Sequence, residues 1–236
     1  MSLLLRVDVD KPYGRHTLFR KIVSKLNEDY ITYLPKFIGY LSHLKIFLSF
    51  CNDRGVRCHL YHRICTVPDS ETMQIIKREG HLIGLHLEDS RNIDCFKKEL
   101  SLFTSLTGIS NVKSFTKHGS GFYKLGKNHY PPYEPDKYKV WAKEIGIEFI
   151  FGNGIPSKVE DIIQVDGFYN NMFWMEPDYR SSTFNSIDKL IEIASDNDVV
   201  VLIHPSNFVA DINTRNDFIK LIELANLNNI KWKLIS

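Results

Sequence analysis

An α/β fold built on a mostly parallel sheet or barrel is what this sequence predicts, and two observations predict it. Short apolar runs alternate with stretches whose apolar residues recur three and four apart, along most of the 236-residue chain. Aspartates and histidines stand at or beside the ends of several of those runs, in Leu3 to Asp10, Gly80 to His86, Val112 to His118 and Val199 to His204. Strand ends of one polarity gather on one face of a parallel sheet or barrel, so residues distant in sequence meet in one site.

The elements follow in order. Residues 3–8 form a first strand, and residues 16–27 and 35–52 read as helices. Residues 57–62 form a second strand. Pro68-Asp69-Ser70 starts a helix that runs to Glu79, where Gly80 ends it. Residues 81–86 form a third strand, 93–106 a helix and 112–117 a fourth strand. Residues 118–135, rich in Gly, Pro and Tyr, read as a long loop, and a long loop straight after a strand end is more often functional than idle. A helix over 135–145 and a strand over 148–151 come next, then strand segments at 162–165 and 167–174. A helix over 186–195, a strand over 199–203, a helix over 213–227 and a last strand over 230–235 complete the series. No repeat, low-complexity run or linker interrupts it, so residues 1–236 read as one domain.

Composition narrows the function classes. Hydrophobic residues make up 43% and charged residues 25%, which suits a sizeable core and not disorder. Thirty basic residues against 28 acidic ones give a net charge of +2, with no signal for nucleic acid or a membrane surface. Cys51, Cys58, Cys65 and Cys95 form no Cys-x-x-Cys pair and read as reduced thiols, which fits a cytoplasmic protein. The apolar start is too short for a signal peptide, and Lys36, His43 and Lys45 interrupt residues 33–51, so no membrane span is expected.

Asp8 and Asp10 are two apart on a strand and point the same way unless the strand bends into its loop. Two adjacent carboxylates repel, and a bound cation relieves the repulsion; one then ligates while the other accepts a proton. The plainer alternative is a loop pair that caps the next helix or pairs with Arg6 and Lys11. His86, His118 and His204 each end an apolar run, whereas His81 reads as a strand-start histidine with a local hydrogen bond. His118 precedes Gly119-Ser120-Gly121, a turn that lets backbone approach a ligand. Structural or solvated roles suit His16, His43, His59, His62 and His129, although His129 lies where a substrate is within reach. Tyr123, Tyr130 and Tyr133 of the loop, and Phe173, Trp174 and Tyr179, are candidates to line a substrate groove. Asp178 and Arg180 either pair with each other or bind a polar substrate.

Val7-Asp8-Val9-Asp10, Gly80-His81-Leu82-Ile83-Gly84-Leu85-His86 and Leu202-Ile203-His204-Pro205, in that order over nearly the whole chain, resemble the polysaccharide deacetylase (NodB-homology) family. The resemblance implies a distorted or incomplete (β/α) barrel with one divalent metal, usually zinc, and hydrolysis of an N-acetyl group on a sugar. It implies Asp8 as general base, Asp10 and His86 as metal ligands and His204 as general acid. Two departures stand out. The family's second ligand histidine falls at Ser90, a poor zinc ligand, and its Arg-x-Pro-Tyr segment is replaced by Lys117-His118-Gly119-Ser120. His118, at the next strand end, is the expected third ligand, with Glu88, Asp89 and Asn92 as fallbacks; nickel, cobalt and iron also suit such a set.

The leading expectation is a metal-dependent N-deacetylase of a sugar precursor, nucleotide-linked, lipid-linked or an oligosaccharide, in the making of an O-antigen or capsule. Tyr130, Trp174 and Arg180 are the expected substrate contacts. Two other readings stay open: a metal hydrolase of a cyclic amide, and a carbohydrate-binding protein that kept the fold and lost catalysis. Asp8 and His204 speak against the last, since binding needs neither acid nor base; the missing histidine speaks for it.

Overall fold

The computed structural model describes residues 1–10, 17–29, 40–119, 124–152, 157–158, 172–180 and 185–235. Its centre is β1 (Ser2–Val9), every residue of which is buried. β1 pairs in parallel with β2 (His59–His62) at Arg6–Val9, with β8 (Val199–Ile203) at Leu3–Val7 and with β9 (Lys231–Trp232) at Ser2–Leu3. β3 (Leu82–Leu87), β4 (Ser114–Lys117), β5 (Phe149–Ile150) and β6 (Ser157–Lys158) extend the sheet beyond β2, and β7 (Met172–Trp174) extends it beyond β8. The order β6-β5-β4-β3-β2-β1-β8-β7 is parallel except for β5 with β6, and it forms an open half-barrel.

Strands buried on both faces need two apolar surroundings, and the period of two supplies them. Leu3, Leu5, Val7 and Val9 of β1, Leu60 of β2 and Val199, Val201 and Ile203 of β8 face outward into a core shared with the helices. α2 (Tyr40–Asn52), α7 (Pro205–Ala210) and α8 (Ile212–Leu227) cover them through Phe47, Phe208 and Phe218. A second outer core forms where Leu85, Leu87 and Phe115 meet Phe96 of α4 (Ile93–Thr107) and Tyr138 and Trp141 of α5 (Pro135–Ile145). Each such fully buried aliphatic side chain is worth roughly 1.5–3 kcal/mol. The opposite parity, Leu4, Met172, Val200 and Leu202, fills the interior of the half-barrel.

Local signals place the helix ends. Asp69 accepts from Thr72 N at 2.8 Å to start α3 (Ser70–Glu79), and Gly80 ends it at φ 73°. Ser186 caps α6 (Ile187–Ala194). β8 ends before Pro205, and Pro205 also starts α7: proline at the first helical position has no amide to lose, and Arg215 binds the carbonyls of Phe208 and Val209 at the far end. α1 covers Leu18–Asp29 in place of 16–27, and the last strand is Lys231–Trp232 in place of 230–235. The predicted segments 35–39, 162–165 and 167–171, with His16 and Tyr123, lie outside the described residues.

Gly84 shows why this strand carries a glycine. A Cβ there would stand 2.5 Å from the Tyr61 ring and 2.6 Å from the Ser114 carbonyl oxygen, and Tyr61 is itself held by its hydroxyl donating to Ser114 Oγ. Gly84→Ala is expected to cost at least about 1–3 kcal/mol through overpacking, read as a lower urea midpoint at unchanged slope.

Candidate functional site

Register brings the site together. Arg6 pairs with Leu202, so two residues further on Asp8 and His204 share a level at the C-terminal ends of β1 and β8. His86 pairs with Thr116, so Glu88 and His118 come level beyond β3 and β4. All these positions share the inward parity, and Asp8, Asp10, His86, His118 and His204 are all buried there.

Asp10, His86 and His118 present ligand atoms to one another. His86 Nε2 lies 3.1 Å from His118 Nδ1, His118 Nδ1 3.3 Å from Asp10 Oδ1, and His86 Nε2 3.8 Å from Asp10 Oδ1. A tetrahedral cation with bonds of about 2.0 Å spaces its ligands about 3.3 Å apart. Thr116 Oγ1 hydrogen-bonds His86 Nδ1 and so turns Nε2 to the centre, while Asp10 Oδ1 is buried with no hydrogen-bond partner. The donor set, its spacing and the orphaned carboxylate oxygen fit a divalent cation, and this is the one such cluster among the described residues. Burial opposes ionisation of Asp10, but His118, His86 and Arg63 outweigh it and hold the carboxyl well below the usual range. Burial holds the His86 imidazole neutral, down to about 3. A neutral imidazole and an ionised carboxylate are the forms that ligate.

A carboxylate and an imidazole flank this set, each held by a partner. Arg6 donates to both oxygens of Asp8, Nε at 2.9 Å and Nη2 at 2.6 Å, and its Nη1 crosses to the Gly152 carbonyl at 2.9 Å. Burial works against the Asp8 charge, yet Arg6 and His86 keep its carboxyl below the ordinary value. Asp8 Oδ2 lies 3.6 Å from His86 Nε2. Opposite it, His204 Nδ1 meets Glu176 Oε1 at 2.9 Å, and the same oxygen accepts from His204 N and Asn207 Nδ2. Burial alone would keep this imidazole neutral, but Glu176, then Asp10 and Asp8, raise it to about 9. Its Nε2 faces the site, 3.8 Å from Asp10 Oδ2. The two readings of Asp8 are thus compatible: it is paired with Arg6 and it lines the site.

Sequence reasoning missed Glu176, Arg63, Glu99 and Lys117 as parts of this arrangement. Glu176 follows β7 at the level of His204, and its signal was the one already used, an acid just past an apolar strand. Arg63, fully buried after β2, grips Glu88 Oε1 through Nε and Nη2 and brings Nη1 within 3.9 Å of Asp10 Oδ1. Glu99 accepts from the amides of Glu88 and Asp89, and burial followed by Glu88 lifts its carboxyl to about 7. Lys117 Nζ donates to the His118 carbonyl at 2.6 Å, and burial lowers it to about 8.

The structure assigns other tasks to several expected residues. The fallback ligands are committed elsewhere: Glu88 to Arg63, Asp89 to Arg91, and Asn92 to capping α4 through Cys95 N. Ser90, where the family pattern has histidine, is buried with its hydroxyl against Tyr138 Oη at 3.2 Å. Arg180 does not reach the site: it donates to the Trp174 and Met175 carbonyls and to Asp217, not to Asp178, and lies over the Phe173 ring. Strand parity also separates Phe173, which packs in the outer core, from Trp174, whose ring lies 5.8 Å from that of His204. His129 spends both ring nitrogens on backbone, accepting from Leu125 N and donating to the His118 carbonyl, so it braces His118. Gly119, at φ 58°, admits this brace; a Cβ there would stand 2.7 Å from Leu125 Cδ1 and 3.0 Å from His129 Nε2. Tyr130 is half-buried under Lys137, whose Nζ lies 5.0 Å from its ring centre. At the opposite sheet end, His81 bridges Asn52 Oδ1 and Cys58 N, the local bond expected of it; all four cysteines are unbridged.

No family model matches the chain, and no curated protein matches it. Its fold is similar to that of solved structures. One is a probable polysaccharide deacetylase from Pseudomonas aeruginosa PAO1, with a TM-score of 0.55 and 10% identity over 98% of this chain and 86% of the other. Another is a CE4 esterase from Streptococcus mutans, with a TM-score of 0.50 and 14% identity over 98% and 86% of the two chains. The likeness confirms the expected distorted (β/α) barrel, and at these identities it is a likeness of fold.

The Glu176–His204 pair has a measurable signature in the metal-free protein. The folded-state value near 9 stands above the ordinary 6.5, so the charged imidazole stabilises the fold below pH 6.5, and that contribution is lost as pH rises through about 9. Glu176→Gln removes the largest opposing charge and leaves burial to dominate. The imidazole titration followed by NMR is expected to fall below the wild-type value by more than one pH unit, and the stability loss on alkalinisation to disappear.

Proposed function

We propose that this protein is a metal-dependent hydrolase that removes an N-acetyl group from a sugar precursor of a surface polysaccharide such as an O-antigen or capsule. The observation that carries the reading is the meeting of Asp10, His86 and His118 between an arginine-held Asp8 and a glutamate-held His204. The fold shared with the two solved structures supports it, as does the order of the motifs along the chain. Four unbridged cysteines support a cytoplasmic setting and hence a nucleotide-linked or lipid-linked substrate.

Asp10, His86 and His118 would hold the ion, and one carboxylate with two imidazoles suits zinc. A cation bound there supplies a Lewis acid for the acetyl carbonyl and makes its water a stronger acid. Asp8 accepts a proton as water attacks that carbonyl. Arg6 occupies one side of both Asp8 oxygens, which keeps the carboxylate ionised and aimed while their remaining lone pairs face the site. His204 holds its proton through neutral pH and delivers it from Nε2 to the sugar nitrogen as the carbon–nitrogen bond breaks, so that the amine departs neutral. Acetate and the free amino sugar leave. Trp174, tilted over His204 and packed on Tyr179, offers an aromatic face to a sugar ring.

Two measurements test this. Elemental analysis of wild type supplied with zinc should give about one ion per chain, with the affinity reduced at least tenfold in His118→Ala and retained in Ser90→Ala and Asp89→Asn. An ion held equally well without His118 overturns the ligand set. Acetate release from N-acetylated sugar nucleotides and lipid-linked sugars should fall about 10²–10⁴-fold in Asp8→Asn and in His204→Ala with the ion still bound. Full activity in both variants overturns their assignment as base and acid.

A further inference from the structure

Glu99 of α4 is a half-buried residue whose carboxylate has no task in the proposed reaction. Both of its oxygens are nevertheless engaged: Oε1 accepts from Glu88 N at 3.0 Å and Oε2 from Asp89 N at 2.9 Å. These are consecutive amides at the point where the chain leaves β3, just past His86. The rest of the segment is held as well. The Leu87 carbonyl accepts from His118 N at 2.8 Å, and the Glu88 carbonyl from Tyr130 N at 3.0 Å. The Glu88 side chain is gripped by Arg63, whose Nη1 stands 3.9 Å from Asp10 Oδ1. Residues 87–89 therefore connect to all three members of the cation cluster. They follow His86 in the chain, take the main chain of His118 and reach Asp10 through Arg63.

A carboxylate is a costly anchor here, because burial and then the neighbouring Glu88 oppose its ionisation. It has two advantages over a neutral acceptor. Its two oxygens serve two amides at once, and hydrogen bonds to an ionised acceptor are about twice as strong as neutral ones. Its charge also acts on the other histidine strand. Burial works against the Lys117 ammonium, and Glu99, ahead of Glu88 and Asp89, works for it. Lys117 Nζ in turn donates to the carbonyls of His118 and Gly119, at 2.6 and 3.3 Å. Glu99 thus holds the segment after His86 by hydrogen bonds and the segment at His118 by charge.

We propose that Glu99 is a positioning residue for the cation site, a lock that fixes the segment after β3 from within the protein, so that Asp10, His86 and His118 stand in place before an ion arrives. The role rests on the ligand set of the hydrolase reading, and it holds whichever bond the enzyme cleaves.

Two measurements test the lock, and neither reads turnover. The first is amide hydrogen exchange of metal-free wild type. The Glu88 and Asp89 amides are expected to be protected, within about tenfold of their protection with zinc added. Exchange at the rate of an open loop until zinc is supplied overturns the proposal, and this result needs no variant. The second is zinc titration against a competing chelator. Glu99→Gln keeps the size of the side chain but turns an NH2 donor toward an amide. Its zinc affinity is expected to fall about 10–100-fold at a temperature where the variant is fully folded. Leu221→Ala, which opens a cavity in the core under α8, is expected to lower the melting temperature and leave zinc affinity within about twofold. Unchanged affinity in Glu99→Gln overturns the positioning role, as does an equal loss in Leu221→Ala, which would make the effect one of stability. Either result with zinc bound by wild type counts against this proposal alone. Wild type that takes up no zinc counts against the ligand set, and this role falls with it.

Discussion

The buried guanidinium of Arg6 is the interaction on which the rest of this half-barrel depends. An open, mostly parallel sheet gathers several carboxyl groups at one end, and removing each from water costs several kcal/mol unless it is paired. Arg6 answers for Asp8 with two hydrogen bonds and reaches the Gly152 carbonyl with a third, so one side chain links the central strand to the segment after β5. Arg63 does the same for Glu88 and stands near Asp10. Neither pair argues for net stability, since apolar side chains of like volume would often do better. Their consequence is that Asp8 and Asp10 stay ionised in a buried place.

The same pairing logic separates acid from base. Asp8 and His204 are both buried, and burial pushes each toward its neutral form. A guanidinium on one and a carboxylate on the other reverse that outcome, so a group that takes a proton and a group that gives one coexist at the same pH. His129 and Lys117, which hold the His118 carbonyl, fix the position of the ligand set from behind. The site is therefore a set of directly held residues with a second row of partners, the arrangement that keeps ligand geometry within narrow limits.

His118 joins the cluster with Asp10 and His86 from a different strand. The loop after β3 has serine where a second histidine is expected, and Ser90 is drawn into the outer core by Tyr138. The next strand along ends in His118 at inward parity, one level beyond the His86–Thr116 pair, and its Nδ1 lies 3.1 Å from His86 Nε2. Neighbouring parallel strands present equivalent positions, so a side chain on the next strand can face the same centre as one on the loop without a change of fold.

The sequence by itself determined the alternation of strands and helices and which strand ends carry chemistry, because both rest on local periodicity and on polar residues that interrupt apolar runs. Asp8, Asp10, His86, His118 and His204 were legible for that reason. Tertiary structure alone decided what each of them is bound to. Glu176 carries only the weak local signal of an acid past an apolar run and Arg63 carries none, and both matter because parity and register set them against His204 and Glu88. Arg180 was misjudged on the same ground: a cation near aromatic residues looks available in sequence, but it is occupied once the chain folds back to bring Asp217 and two carbonyls to it. Which partner a charge finds is a matter of distances between strands, and a one-dimensional pattern does not contain them.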